Sequence, residues 1–343
     1  MLALLGLSAV VPARAATINV NPGDSIQAAV DAAASGDTIN IAAGDYEQQV
    51  VVMDKNLTFA GNAGATLKAP AAMTSTLSPL TTRLAILGMV RSTVNVSGLA
   101  FDGNRSGAAN ARLTGVYHLS ASGTVSNCSF QGFRSEPRIA RRESAYIAAN
   151  SVGAGADVTH VEVLNSTFMD NEDSILLLGD ELIAPTELRQ TLLVQGNTII
   201  GVGAGTTAFQ FGVCITLGAA GEVRNNTIRD YLSNGGDFLG RILGSAAVLI
   251  GDRGAVVGHR IPVTARPVLI EGNMLVNNLG GVNLFFADGS RAVNNQIQGG
   301  GTETGFSNEG GIALSGNDVG AISNRISHSS IGINLLASPV LGT

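Results

Sequence analysis

Gly196-Asn197-Thr198-Ile199, Asn225-Asn226-Thr227-Ile228, Gly272-Asn273-Met274-Leu275, Asn294-Asn295-Gln296-Ile297 and Ser323-Asn324-Arg325-Ile326 are five copies of one phrase, an Asn two residues ahead of an apolar side chain. Looser copies stand earlier, at Asn127-Cys128-Ser129-Phe130 and Asn165-Ser166-Thr167-Phe168. Aligned on the apolar residue, the copies are 38, 31, 29, 47, 22 and 29 residues apart. A repeat of that size is the mark of a solenoid. A second phrase alternates with the first: a small residue, then an apolar strand, as in Gly212-Val213-Cys214-Ile215-Thr216-Leu217, Gly281-Val282-Asn283-Leu284-Phe285, Gly311-Ile312-Ala313-Leu314-Ser315 and Gly332-Ile333-Asn334-Leu335. Looser versions begin at Gly115, Ser174 and Ala247. Each coil therefore reads as three short strands. One precedes the Asn, one holds the Thr-Ile type pair, and one is the Gly-Val strand.

The physics of such a coil is direct. Parallel strands stack about 4.8 Å apart, so equivalent residues form columns. Inward Val, Ile and Leu give a dry core. An Asn repeated at one turn is expected to bond the Asn above and below through its amide. It also tolerates the left-handed turn conformation.

Composition agrees. Charged residues are 13% of the 343, against roughly 25% in ordinary domains, aromatics are 4%, and glycines number 44. The net charge of −6 argues against a general nucleic-acid binder. Lys55 and Lys68 are the only lysines. Cys128 falls in the Asn column and Cys214 in a different strand several coils later, too far apart for a disulfide, so both are expected to be free.

Residues 1–15 are a short apolar run ending in Ala13-Arg14-Ala15, an A-x-A cleavage pattern. They are too short to span a membrane and read as a leader peptide, which makes the protein secreted, periplasmic or surface-bound. The basic segment usual before such a run is missing, so the natural start is expected to lie upstream. Residues 16–343 read as a single domain, expected to be monomeric, with residues 16–55 as its entry unit. There, Pro22-Gly23 makes a turn and Asp24 is expected to cap a short helix, with Gln27 completing a capping box. Ile26, Ala29, Val30 and Ala33 form its apolar stripe. Gly36 ends it. Such a helix would cover the otherwise open end of the solenoid.

The stretch from Pro22-Gly23-Asp24-Ser25-Ile26-Gln27 to Gly36-Asp37-Thr38-Ile39-Asn40-Ile41 and Gly44-Asp45-Tyr46 resembles the entry segment of right-handed parallel β-helix proteins of the pectate-lyase-like superfamily. The Asn-Thr-Ile and Gly-Ile-x-Leu phrases look like that superfamily's generic repeat. The resemblance implies an all-β, three-sided right-handed parallel β-helix with an N-terminal helix cap. It does not choose among lyases, hydrolases, esterases, epimerases, tailspikes and adhesins.

The chain wanders between the Thr-Ile strand and the Gly-Val strand at about residues 131–145, 201–211, 229–246 and 298–310. Insertions at one corner of successive coils would build a wall. The resemblance puts a groove beside the sheet that follows, here the Gly-Val sheet. The first insert carries Arg134, Arg138, Arg141 and Arg142, whose guanidinium forks suit an anionic saccharide; Arg260 joins them in a later loop. A solvated loop with local Glu pairing is the plainer alternative. Candidate acid/base residues are Asp173, Asp180, Asp237, Asp252 and His259, with Arg241 as the base available to an elimination. Asp180 and Asp252 would lie about 10 Å apart if they share a column two coils apart, near the spacing of an inverting glycosidase pair. Asp252 and Asp288 would lie near 5 Å. Asp-Gly turns, as at Asp288-Gly289, also need Asp for conformation alone. His118, inside a strand, reads as structural.

Measured against the superfamily's enzymes, the polygalacturonase pattern is echoed by Gly258-His259-Arg260-Ile261. The pectin methylesterase pattern is echoed by Glu172-Asp173-Ser174-Ile175-Leu176, Leu188-Arg189-Gln190 and Asp237-Phe238-Leu239-Gly240-Arg241. The leading expectation is an exported protein that binds or cleaves an acidic polysaccharide with carboxylate acid/base chemistry. The alternatives are a non-catalytic scaffold or adhesin, and a methylesterase or lyase. No spacing matches a zinc or EF-hand pattern. No cofactor is expected, and calcium held by loop carboxylates is left open by the sequence.

Overall fold

The computed structural model describes residues 14–77, 81–138, 143–149, 158–179, 190–205, 210–216, 219–232, 245–251, 267–285, 287–299, 311–316, 318–329 and 332–335. The strands fall into three sheets of 11, 10 and 10 members, with every strand pair parallel and each sheet taking one strand per coil. The entry sheet runs from Thr17–Val20 to Gly320–Ile322, the middle sheet from Gly44–Glu47 to Arg325–Ser327, and the closing sheet from Val50–Met53 to Ile333–Leu335. One coil shows the pattern: Gln190–Gln195, the Gly196-Asn197 turn, Thr198–Ile200, an insert, then Phe211–Thr216. Crossovers between parallel strands of one sheet are right-handed because twisted strands pack back only that way. The fold is a right-handed, three-sided parallel β-helix.

One apolar cluster runs the length of the interior. The middle sheet contributes Phe101, Phe130 and Phe168, stacked with centroids 4.9 and 4.6 Å apart, and then Ile199, Ile228, Leu275 and Ile297. The closing sheet contributes the row Val116, Tyr146, Ile175, Val213, Val248, Val282 and Ile312. His118 stands one row further along, in register with Ala148 and Leu177. Its Nδ1 meets the Tyr146 hydroxyl at 3.1 Å, and burial lowers its pKa to about 4.

The closing sheet is apolar on its other face as well. Tyr117, Ile147, Leu176, Cys214 and Leu249 form a column there, all buried, within a second apolar cluster. A parallel sheet covered on both faces reads as a continuous apolar run, and Ser144–Ala149 and Ala246–Gly251 are buried at every position.

At the corner between entry and middle sheets, the Asn column forms an amide ladder. Asn197 Nδ2 donates to Asn226 Oδ1 at 2.9 Å, and the relay continues through Asn273 at 3.0 Å, Asn295 at 2.9 Å and Asn324 at 2.9 Å. The same oxygens accept backbone N–H bonds: Asn226 Oδ1 takes the Asn197 N–H at 2.9 Å. The remaining amide hydrogen goes to a carbonyl of the coil before, as from Asn226 to Val194 at 2.9 Å. The left-handed residue is the one before the ladder Asn: Asn127, Asn165, Gly196, Asn225, Gly272, Asn294 and Ser323 have φ between 48° and 70°. The turn thus divides two tasks between neighbours. The first residue supplies the backbone kink, and the second keeps ordinary backbone and spends its amide on stacking.

The helix forms at Ile26–Ala32 and buries Ile26, Ala29 and Val30 in the main cluster. Its N-cap is Ser25, whose hydroxyl accepts from Ala28 N–H at 3.1 Å, and not Asp24. Asp24 instead accepts the Asn21 N–H at 2.8 Å. Gln27 closes no capping box, because its amide bonds Val51 on the neighbouring strand at 2.8 and 3.2 Å. Cys128 and Cys214 are both buried, and neither is in a disulfide.

Candidate functional site

The strand boundaries put all four foreseen inserts at one corner, between the middle and closing sheets: residues 132–143, 201–210, 230–245 and 300–311. Residues 69–83 and 103–112 occupy the same corner in the first coils. Sequence reading missed these two because the earliest coils carry no Asn phrase to align on. Successive inserts bond to one another. Ser106 bridges Ser135, Arg105 N–H donates to Gly132 at 2.9 Å, and Gly107 N–H donates to Arg134 at 3.2 Å.

Within this corner the residues just ahead of the closing-sheet strands form a polar row. Ser144, Asp173, Phe211 and Ala246 are register partners, and the residues before them are Glu143, Glu172, Gln210 and Ser245. All four are buried. Leu113 below and Leu279 above complete the column with apolar side chains. The Gln210 amide is engaged with the second insert, accepting from Val202 N–H at 3.0 Å and donating to Gly203 at 3.2 Å. The two glutamates differ. Neither Glu143 oxygen takes a bond from an N–H or alcohol donor among the described residues. Among the described residues, Glu172 in its acid form is the group that can donate to it. Burial first, then the hydrogen bond to Glu143 and the nearby charges of Asp173 and Glu143, hold the Glu172 proton well above the usual carboxylate range. Glu143 also packs against bare backbone, since a Cβ on Gly107 would come within 2.6 Å of its carboxyl carbon.

Asp173 lies beside this pair, 2% exposed, with its Oδ1 accepting the Phe211 N–H at 3.2 Å. Arg138 reaches from the first insert to the second, donating to the Ala204 carbonyl at 3.1 Å, while its other terminal nitrogen is buried with no partner among the described residues. Arg134 is committed to ion pairs with Asp170 at 2.7 Å and Glu136 at 2.6 Å, and Asp170 takes Arg105 as well at 2.7 Å. Of the first insert's arginines, then, Arg134 is locally paired and Arg138 is not.

Asp180, Asp237, Asp252, Arg241, His259, Arg141, Arg142 and Arg260 lie outside the described residues. Of the expected acid/base set, Asp173 is the member the structure describes. Sequence reading passed over Glu143. The signal that finds it is register: it stands immediately before its strand, as Glu172 does before the next. The face of the closing sheet is apolar and buried, and its carboxyls gather along the leading edge.

Among the described residues no group of three or more His, Cys, Asp or Glu side chains is arranged to hold a metal. No described helix is long and apolar enough to cross a membrane.

No family model and no curated protein matches the chain. Solved structures do. A mannuronic-acid-specific polysaccharide family 6 lyase from human gut microbiota is 12% identical with a TM-score of 0.45, covering 94% of this chain and 77% of that one. The family 28 exopolygalacturonase of Yersinia enterocolitica is 13% identical with a TM-score of 0.39, covering 94% and 78%. A pectin methylesterase variant in complex with a hexasaccharide is 10% identical with a TM-score of 0.35, covering 78% and 80%. The likeness is one of fold.

Proposed function

We propose that the protein acts on a polysaccharide at the insert corner, with Glu172 as proton donor and Asp173 as the neighbouring carboxylate. The observation that supports this is the Glu143–Glu172 pair beside Asp173. A carboxylic acid kept neutral near pH 7 can protonate a glycosidic oxygen, and a second carboxylate can activate water or stabilise the sugar cation. Glu143 holds the Glu172 proton and so poises the acid. Glu172 and Asp173 are both buried, 5% and 2% exposed. Arg138 is the first-insert arginine described here without a carboxylate partner, which favours an anionic glycan. Export follows from the Ala13-Arg14-Ala15 pattern and is checked by sequencing the N-terminus of the secreted protein.

The deciding assay incubates the full chain with polyuronates and neutral glycans and follows both reducing ends and the absorbance of an unsaturated product. Hydrolysis should be seen on an anionic glycan and fall about 1,000-fold in Glu172→Gln, within the range a general acid contributes. Unsaturated ends in place of hydrolysis, or full activity in Glu172→Gln, would overturn the assignment. The burial of all three carboxyls favours a second reading, a non-catalytic scaffold whose acid row is part of the packing. Under it, the glycans would leave no product, and Glu172→Gln would alter stability alone.

A further inference from the structure

The outer face of the entry sheet carries a separate cluster that joins a hydroxyl, an imidazole and a carboxylate. His160 and Thr191 are direct register partners on adjacent strands, Thr159–Leu164 and Gln190–Gln195. Glu162 follows His160 by two residues and so shares its face. Thr191 Oγ1 lies 2.7 Å from His160 Nδ1, and His160 Nε2 lies 3.4 Å from Glu162 Oε1. The second Glu162 oxygen accepts the Thr124 hydroxyl at 3.0 Å, and Thr124 is the register partner of Glu162 on the preceding coil. The Thr159 carbonyl competes for the Thr191 proton, but at 3.5 Å it is the poorer acceptor. The His160 side chain is 55% exposed and that of Glu162 31%. Thr191 is partly exposed.

We propose that Thr191 is an activated hydroxyl that accepts acyl groups from esters, with His160 as its base and Glu162 orienting the imidazole. A free threonine hydroxyl is a weak nucleophile. A base within hydrogen-bond reach, itself held by a third group, is what activates one. Both contacts require the same tautomer: the Nε2 proton goes to Glu162, and the Nδ1 lone pair faces Thr191. Thr191 Oγ1 bonds to the ester carbonyl carbon as its proton passes to Nδ1. The bond from that carbon to the alcohol oxygen breaks, and the departing oxygen takes the proton from His160. Water, deprotonated by the same imidazole, then splits the acyl-threonine into Thr191 and a free carboxylic acid. Nothing is oxidised or reduced. The outer face of a sheet suits a small acyl group projecting from a larger molecule, so the substrate class is O-acyl esters of that kind.

The test uses the full chain and p-nitrophenyl acetate, whose leaving phenolate is followed by absorbance while peptide mass mapping locates the acetyl group. Acetylation is expected on Thr191. It should vanish in Thr191→Val, survive in Thr191→Ser, and slow about 100-fold in His160→Gln, within the range general-base assistance provides. Glu162→Gln should slow it by a smaller factor. An acetyl group absent from Thr191, or arriving there equally fast in His160→Gln, would overturn the proposal. Thermal midpoints matching the parent show that these surface variants are folded.

Discussion

At the Asn corner, the buried side-chain amides of Asn197, Asn226 and Asn273 have oxygen and nitrogen both engaged. At the insert corner, Glu143, Ser135 and Ser144 are buried with side-chain oxygens that meet no N–H or alcohol partner among the described residues. Both corners turn the same chain at the same repeat. Buried polar groups are nearly always satisfied, and exceptions ask for a reason. The first corner holds the coils together. The second carries polar groups whose burial costs stability, and acid/base chemistry is one return for that cost. Framework and candidate site thus differ in how their polar atoms are satisfied more than in which residues they use.

The largest effect should come from breaking the satisfied corner. Asn226→Ala removes two donated and two accepted bonds at the middle of the ladder and leaves buried partners unpaired. A loss of about 4 kcal/mol is expected by thermal or urea unfolding. A loss under about 1 kcal/mol would show that the ladder is ornamental.

The unsatisfied corner should respond in the opposite sense. The Glu172 pKa is raised in the folded state, so its proton stabilises the fold fully below the ordinary carboxylate value of about 4.3. That contribution is lost as pH rises towards the raised folded value. Glu172→Gln carries no proton to lose. It should match the parent near pH 4 and gain on it progressively above pH 5, by about 3 kcal/mol at pH 8. A pH-independent difference would dissolve the contrast between the two corners.

His118 tests a site outside both. Its folded pKa, lowered to about 4 by burial, makes the neutral ring a stabilising state above the ordinary value of about 6.5. That stability drains away as pH falls from there towards 4, by as much as about 3 kcal/mol. His118→Gln should flatten this part of the stability profile, read as thermal midpoints from pH 7 to 4. The smallest effect is expected at the helix start. Ser25→Ala loses one cap bond, about 1 kcal/mol, while Asp24→Ala loses less. The reverse order would restore the sequence-based placement of the cap.

The fold was legible because its signals are local and repeated. An Asn ahead of an apolar residue recurs five times, and each copy constrains the others. The division of labour within the turn was not legible, because Asn at 225 and Asn at 226 look alike until backbone angles separate them. The helix cap slipped by one residue for a related reason: Asp24 and Ser25 are both good caps, and the Asn21 N–H claimed Asp24. At the site, Glu172 and Asp173 could be noticed as acids, but Glu143 could not be linked to them. They lie a full coil apart, with a closing-sheet, an entry-sheet and a middle-sheet strand between them, and only register brings Glu143 beside Glu172. The apolar outer face of the closing sheet was hidden because a run such as Ala246-Ala247-Val248-Leu249-Ile250 reads the same whether one face or both are covered.

The kink-then-amide turn has a consequence for how such a chain can change length. Gly196 and Asn225 hold the same left-handed conformation, and Asn197 and Asn226, 29 residues apart, make the same bonds to the coil before. Excising residues 197–225 would join Gly196 to Asn226 and leave a junction indistinguishable in kind from those on either side. Each such turn is a splice point at which a whole coil can be gained or lost without a new interface having to be invented.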